Sequence, residues 1–262
     1  MNITIGHVMK DLKADLEVPA STVDRLLFGQ EHTVVKGIVT AFSASQFIIE
    51  RASALGANLI VSHEGIFYSH HKAGDWHRND AVVEAKAAAI EQADVGIFRF
   101  HDYMHRYQPD PVMIGLLRKL GWVAAEMQAT GAIVDIPAMQ LGDVAEYLKS
   151  RLHIPYVRVA GESTMMCKRV GVLVGYSGGG SSAIPLLQQE NVDLIIAGEG
   201  PEWETPEYIR DALHQGHSKA LIMLGHAESE APGMEYLAEW LTEKYPKLPV
   251  YFLADDPVFR VF

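Results

Sequence analysis

Twelve histidines in a chain of 262 residues are the first chemical feature of the sequence, and six of them, His63, His70, His71, His77, His101 and His105, fall within 43 residues. Histidine is the commonest metal ligand and the side chain that titrates nearest neutrality. Position separates ligands from ordinary surface residues. His63 and Glu64 follow the apolar run LIVS, so a buried strand ends in two ligand-type side chains. Neighbours on a regular strand point to opposite faces, and Gly65 permits the turn that would let both meet one site. VGIFRFHDYMH again ends a strand in His101 and Asp102, with His105 four residues after His101. LIMLGHAESE delivers His226, with Glu230 four residues on, beside a helix start marked by Pro232. Residues four apart share one face of a helical turn. Three strand ends that each supply an imidazole and a second ligand suit Zn, Fe, Mn, Co or Ni better than Mg or Ca.

Two further segments bear on the chemistry. GYSGGGSS (175–182) lies between a strand and a helix but lacks the lysine of a phosphate-binding P-loop. It reads as a tight turn whose backbone approaches another element. AGEGPEWETPE (197–207) places Glu199 and Glu202 beyond another strand, as acids that support the site or carry protons, or as a solvated acidic loop. His70, His71 and His77, with Lys72, Asp75 and Arg78, read as an exposed or lid-like loop.

The elements that must position these residues follow an α/β pattern. Short β-branched runs at 37–42, 58–62, 95–100, 132–136, 170–175, 193–197, 220–224 and 250–253 alternate with helical periodicity at 44–55, 81–93, 141–152, 184–190, 205–215 and 234–244. The halves echo each other: VTAFSAS with LVGYSGG, LIVSHEG with LIIAGEG, FRFHD with IMLGHA. The reading is two related α/β halves, 1–130 and 131–262, packed around a shared cleft. The first carries His63, Glu64, His101 and His105; the second carries the glycine-rich loop, His226 and Glu230.

Composition narrows the partners. With 22 Lys and Arg against 33 Asp and Glu the net charge is −11, which argues against nucleic acid. Cys167 is the only cysteine, so an internal disulfide and multi-thiolate zinc sites are excluded and a reducing compartment is expected. No apolar run approaches the ~20 residues of a membrane span. The opening MNITIGHVMKDLKADL reads as an amphipathic helix and not as a signal peptide, so the cytoplasm is the expected location.

LIVSHEGIFY, FHDYMHRYQPD, GVLVGYSGGGSS, DLIIAGEGPEWETPE and LGHAESEAPGMEYLAEWL, in that order, together with VDRLLFG at 23–29, resemble the NGG-one-interacting factor three-like family, often labelled GTP cyclohydrolase type two homologues. The resemblance implies a two-part α/β fold, two divalent metal ions in a cleft and a toroidal homohexamer. Where that family usually has a His-His pair, this chain has His63 and Glu64. Where the family has a ligand Asp four residues after a His, this chain has His105 after His101. His226 and Glu230 match. The inventory stays at three His and two carboxylates, His63, Glu64, His105, His226 and Glu230, so the double departure reads as a compensated exchange, with Asp102 the rival of His105. The function expected is a dinuclear metal-dependent hydrolase of a small phosphate-bearing or heterocyclic substrate, with Glu199, Glu202 or His101 moving protons. The alternative is a non-catalytic metal-binding scaffold or regulatory interaction protein.

Overall fold

A computed structural model of the chain describes residues 2–13, 16, 21–71, 77, 79–128 and 131–262. Lys72, Asp75 and Arg78 of the histidine loop lie outside the described residues. So do Met1, Ala14 and Asp15 of the amphipathic N-terminal segment, whose described helix is α1 (Ile5–Lys13), with Ile5, Val8, Met9 and Leu12 buried.

Contacts divide the chain into two compact units, Met1–Pro111 with Met234–Asp256 and Val112–Gly233 with Pro257–Phe262. The division thus differs from a cut at 130/131. The chain returns to the first unit, where β11 (Val250–Phe252) pairs with β2 (Ile38–Ala41).

The first unit holds a five-stranded sheet in the order β1 (Leu26–Phe28), β4 (Gly96–Arg99), β3 (Leu59–Ser62), β2, β11. All neighbours are parallel except β1, which runs antiparallel to β4. Helices α2 (Gln46–Ala54) and α3 (Ala81–Ala93) are the crossovers between β2, β3 and β4. The Ser45 hydroxyl caps α2 by accepting from the Ile48 N–H at 3.1 Å, and Asp80 caps α3 at the N–H groups of Val82 and Val83. Ile48, Ile49 and Ala52 of α2 and Ile90 of α3 are buried in one cluster with Val39, Ile60 and Ile97 of the strands. Burying such an aliphatic side chain contributes roughly 1.5–3 kcal/mol.

The second unit holds a six-stranded sheet in the order β5 (Glu126–Met127), β6 (Ala132–Gln140), β8 (Met166–Leu173), β9 (Leu194–Ala197), β10 (Ala220–Met223), β7 (Arg158–Ala160). Strands β8, β9 and β10 are parallel and are joined by α6 (Gly180–Gln189) and α7 (Thr205–His214), while α5 (Leu141–Leu152) links β6 to β7. Helix α4 (Pro111–Leu120) was not expected from the sequence. A side chain at its Gly115 would strike the backbone of Pro232 and Gly233 in α8 (His226–Lys244), so that glycine is what lets the two backbones approach. Helix α8 begins at His226 and not at 234, and Pro232 lies inside it.

The internal echo corresponds to a repeated topology. Each unit has three parallel strands in sequence order, β2-β3-β4 and β8-β9-β10, with a helix after each of the first two strands. In register, Ser62 pairs with Arg99 at the ends of β3 and β4, and Ala197 pairs with Met223 at the ends of β9 and β10. Ligand-bearing residues of parallel sheets gather beyond these carboxyl ends. There stand Glu64 and His101 in the first unit and Glu199 and His226 in the second.

Candidate metal centre

In the first unit, β3 delivers His63 and Glu64 while their backbone N–H groups still donate to Ala41 and Phe42, at 3.1 and 2.7 Å. The chain then turns at Gly65, where a Cβ would come within 2.5 Å of the Ser69 carbonyl oxygen. His63 is fully buried. Its ring stacks on His101 with centroids 4.5 Å apart and meets His105 edge-on at 5.0 Å.

One ligand atom from each of His63, His101 and His105 can be chosen so that all lie within 4.8 Å of one another, and the same holds for Glu64, His70 and His101. These are distances a single ion can bridge. His105 therefore stands among the ligand candidates of this unit. Asp102 stands behind them: its carboxylate is 2.9 Å from His101 Nδ1 and accepts the Val23 N–H at 2.9 Å.

The turn that carries His101 is held by Asp24, which the sequence reading missed. This buried carboxylate accepts the backbone N–H groups of His101, Asp102 and Tyr103 at 2.9, 2.8 and 3.0 Å. His70, read as a loop residue, is also drawn in, with Nδ1 3.3 Å from Glu64 Oε2 and its ring 4.8 Å from that of His101. Burial disfavours ionisation of Glu64, but the His101 hydrogen bond and charge, Arg99 and the Gly65 N–H outweigh it and hold the carboxyl well below the usual carboxylate range. Arg99 donates to Glu64 Oε2 at 2.7 Å.

In the second unit, His226 opens α8 and reaches Glu230 one turn on, with Nε2 3.2 Å from Oε2. Glu199 Oε1 lies 2.8 Å from His226 Nδ1. Burial alone would lower the affinity of His226 for a proton; hydrogen bonds and charge from Glu230 and Glu199 outweigh it and push the imidazole up to about 9.

The glycine-rich loop explains how these groups fit. At Gly175, whose φ is +57°, a Cβ would overlap Glu230 Oε1 and lie 3.2 Å from His226 Nε2. The N-terminus of α6, the place a phosphate would take in a P-loop, is filled by Glu204, whose carboxylate accepts the Gly180 N–H at 2.6 Å. The loop is thus a close-packed turn beside the ligands. Glu202 is 76% exposed and paired with Arg158 at 2.7 Å. Between Glu202 and Glu204, the acid that braces the loop is Glu204.

One pattern joins the imidazoles of both units. Nδ1 of His63, His101, His105 and His226 faces an oxygen, from Phe100 (carbonyl), Asp102, Asp110 and Glu199, at 3.2, 2.9, 2.8 and 2.8 Å. An oxygen at Nδ1 calls for the proton there, which in a neutral ring leaves the lone pair on Nε2; at His101 and His226 that nitrogen in turn faces Glu64 and Glu230, at 3.5 and 3.2 Å. That tautomer, held by an oxygen behind it, is how metal-ligating histidines are oriented. Cys167 offers no competing thiolate, because burial and the charge of Asp193 push it up to about 11. The donor set fits a divalent transition metal.

Fold and donor set together define an α/β protein of two sheets with clustered imidazole and carboxylate groups able to hold metal ions. The chain belongs to the Duf34/NIF3 (NGG1p interacting factor 3) family, whose model matches residues 22–257. Curated relatives named "GTP cyclohydrolase 1 type 2 homolog" include one from Chlamydia trachomatis, 23% identical over 239 residues (88% of this chain, 89% of the relative). Another, from Pasteurella multocida, is 25% identical over 243 residues (85% of this chain, 86% of the relative). Among solved structures, the Bacillus cereus protein related to NIF3 superposes with a TM-score of 0.76 at 16% identity, over 100% of both chains. The Staphylococcus aureus hypothetical protein SA1388 gives 0.75 at 19%, also over 100% of both. Among the described residues no helix is long and apolar enough to cross a membrane.

Proposed function

We propose that the protein is a metal-dependent hydrolase that holds two divalent ions, drawn from Zn, Fe, Mn, Co and Ni, through His63, Glu64 and His105 of the first unit and His226 and Glu230 of the second. The observation that carries this is the shared orientation of the imidazoles, each with Nδ1 against an oxygen. When bound, paired divalent ions acidify water and stabilise charge that develops on a substrate. The chain's own groups supply the rest. Asp102, Asp110 and Glu199 fix the rings, and Arg99 holds Glu64 ionised. Glu199, about 41% exposed at its side chain, and His101 are the proton carriers nearest the ligands. The substrate is a small phosphate-bearing or heterocyclic molecule, a reading supported by the cyclohydrolase-homologue name that the relatives carry. The protein acts in the cytoplasm as a homohexamer; light scattering should return six chain masses, and a monomer mass at micromolar concentration would contradict the assembly.

The test is a panel of phosphoesters and cyclic amides assayed with added Mn, Zn or Fe, for the wild type and a Glu64→Ala/His226→Ala double variant. Metal-dependent turnover that the double variant loses supports the hydrolase. Bound metal without variant-sensitive turnover across the panel favours a metal-binding scaffold.

A further inference from the structure

Beside the ligands of the first unit lies a cavity of about 600 Å³. That volume is in the range of small-molecule sites, roughly 300–1,000 Å³. Aromatic and polar side chains share its wall. Phe28 and Phe67, half-buried against the core with ring centroids 6.2 Å apart and planes at 70°, form an apolar corner. Arg25, Ser69, His71 and His77 line the same cavity.

The charges on this wall are unevenly committed. Arg99 is spent on the protein: Nε donates to the His63 carbonyl, Nη1 to the His70 carbonyl, and Nη2 to Glu64. Asp102 is turned to His101 and the Val23 N–H. The exposed Arg25 makes no ion pair among the described residues, and its backbone carbonyl, which accepts the Arg99 N–H at 3.0 Å, fixes where its side chain departs. A cation and imidazoles lining one cavity with an aromatic pair match a planar ring that carries an anion.

Resting on the hydrolase reading above, we infer that this cavity is the substrate pocket and that its ligand is a phosphate monoester of an aromatic or heteroaromatic ring. The ring lies against Phe28 and Phe67, and the phosphate meets Arg25 with His71 and His77. Glu64, His70 and His101 border the same end, since His70 both lines the cavity and contacts the other two.

Phenyl phosphate is the probe. Its binding to the full chain is measured by calorimetry in excess EDTA, and its hydrolysis is measured separately with added Mn. Phenyl phosphate should bind saturably and more tightly than inorganic phosphate, phenol or benzoate. Arg25→Gln should weaken it about tenfold or more, the scale of one lost charge-assisted hydrogen bond, with recovery in Arg25→Lys. Phe67→Leu should weaken phenyl phosphate and leave inorganic phosphate unchanged. Absence of saturable binding at millimolar concentration, benzoate binding as tightly as phenyl phosphate, or an unaltered Arg25→Gln variant would each overturn the pocket assignment. Binding that behaves as described without hydrolysis would count against the hydrolase alone.

Discussion

Glu199 Oε1 stands 2.8 Å from His226 Nδ1, while Glu230 Oε2 stands 3.2 Å from Nε2 of the same ring. The metal-free imidazole is thereby clamped between two acids and pushed up to about 9. A metal at Nε2 must expel that proton. Affinity should therefore climb with pH, about tenfold per unit between pH 7 and 8.5, and level off near 9. Calorimetry in buffers of different ionisation enthalpy should show close to one proton released per ion at His226. Glu199→Gln should flatten the slope. For the metal-free fold the sign is opposite: a folded value above the ordinary 6.5 gives stability that is complete below about 6.5 and is lost as pH rises through about 9.

Asp24 holds the turn that presents His101. Asp24→Ala should leave three backbone N–H groups without their acceptor, at roughly 1–3 kcal/mol for each that stays buried. The expected result is a lowered Tm together with reduced metal content. Asp24→Asn, which keeps one acceptor oxygen, should fall between the wild type and Asp24→Ala in both.

Much of this fold is legible in the sequence because parallel strands buried on both faces read as continuous apolar runs. Every expected run overlaps an observed strand, though β6 extends past 136 and β8 begins before 170, and α3 and α5 match residue for residue. The short edge strands β1, β5 and β7 carry too few residues to show a period. Helix α4 was not expected from the sequence, although Pro111 starts it and Gly115 serves a close crossing. At Pro232 the opposite error occurred, since a proline in the early turns of α8 looks like a helix start. At the site, strand ends point to His63, Glu64, His101 and His226 through local order alone. Asp24 and His70 reach it by tertiary contact, which has no local signature, and Glu204 could be told from Glu202 only by the cap it makes on α6.

Lys86 is buried with Nζ 2.6 Å from the Ile66 carbonyl oxygen, and burial lowers its ammonium to about 8 despite the charge of Asp255. The unfolded chain keeps this proton up to about 10.5, so it binds more protons than the folded chain between the two values, and the Lys86 contribution to stability rises across that window. Urea unfolding at pH 7.5, 9 and 10 should show the wild type gaining on Lys86→Met as pH rises. A constant difference between the two would contradict the burial argument.

The metal-to-protein ratio of the exchanged-ligand variants tests the central claim most directly. If Glu64 and His105 are both ligands, Glu64→Gln removes one of two carboxylates and should lose the second ion more completely than His105→Ala, which removes a neutral donor. Glu64→His with His105→Asp preserves the ligand charge and should restore two ions per chain, whereas either change alone unbalances it and should do worse. Elemental analysis of these proteins beside the wild type gives the answer. The account predicts two ions in the wild type and in the exchanged double variant. A double variant no better than its singles would contradict the compensation, and two ions retained in His105→Ala would remove His105 from the ligand set and put Asp102 in its place.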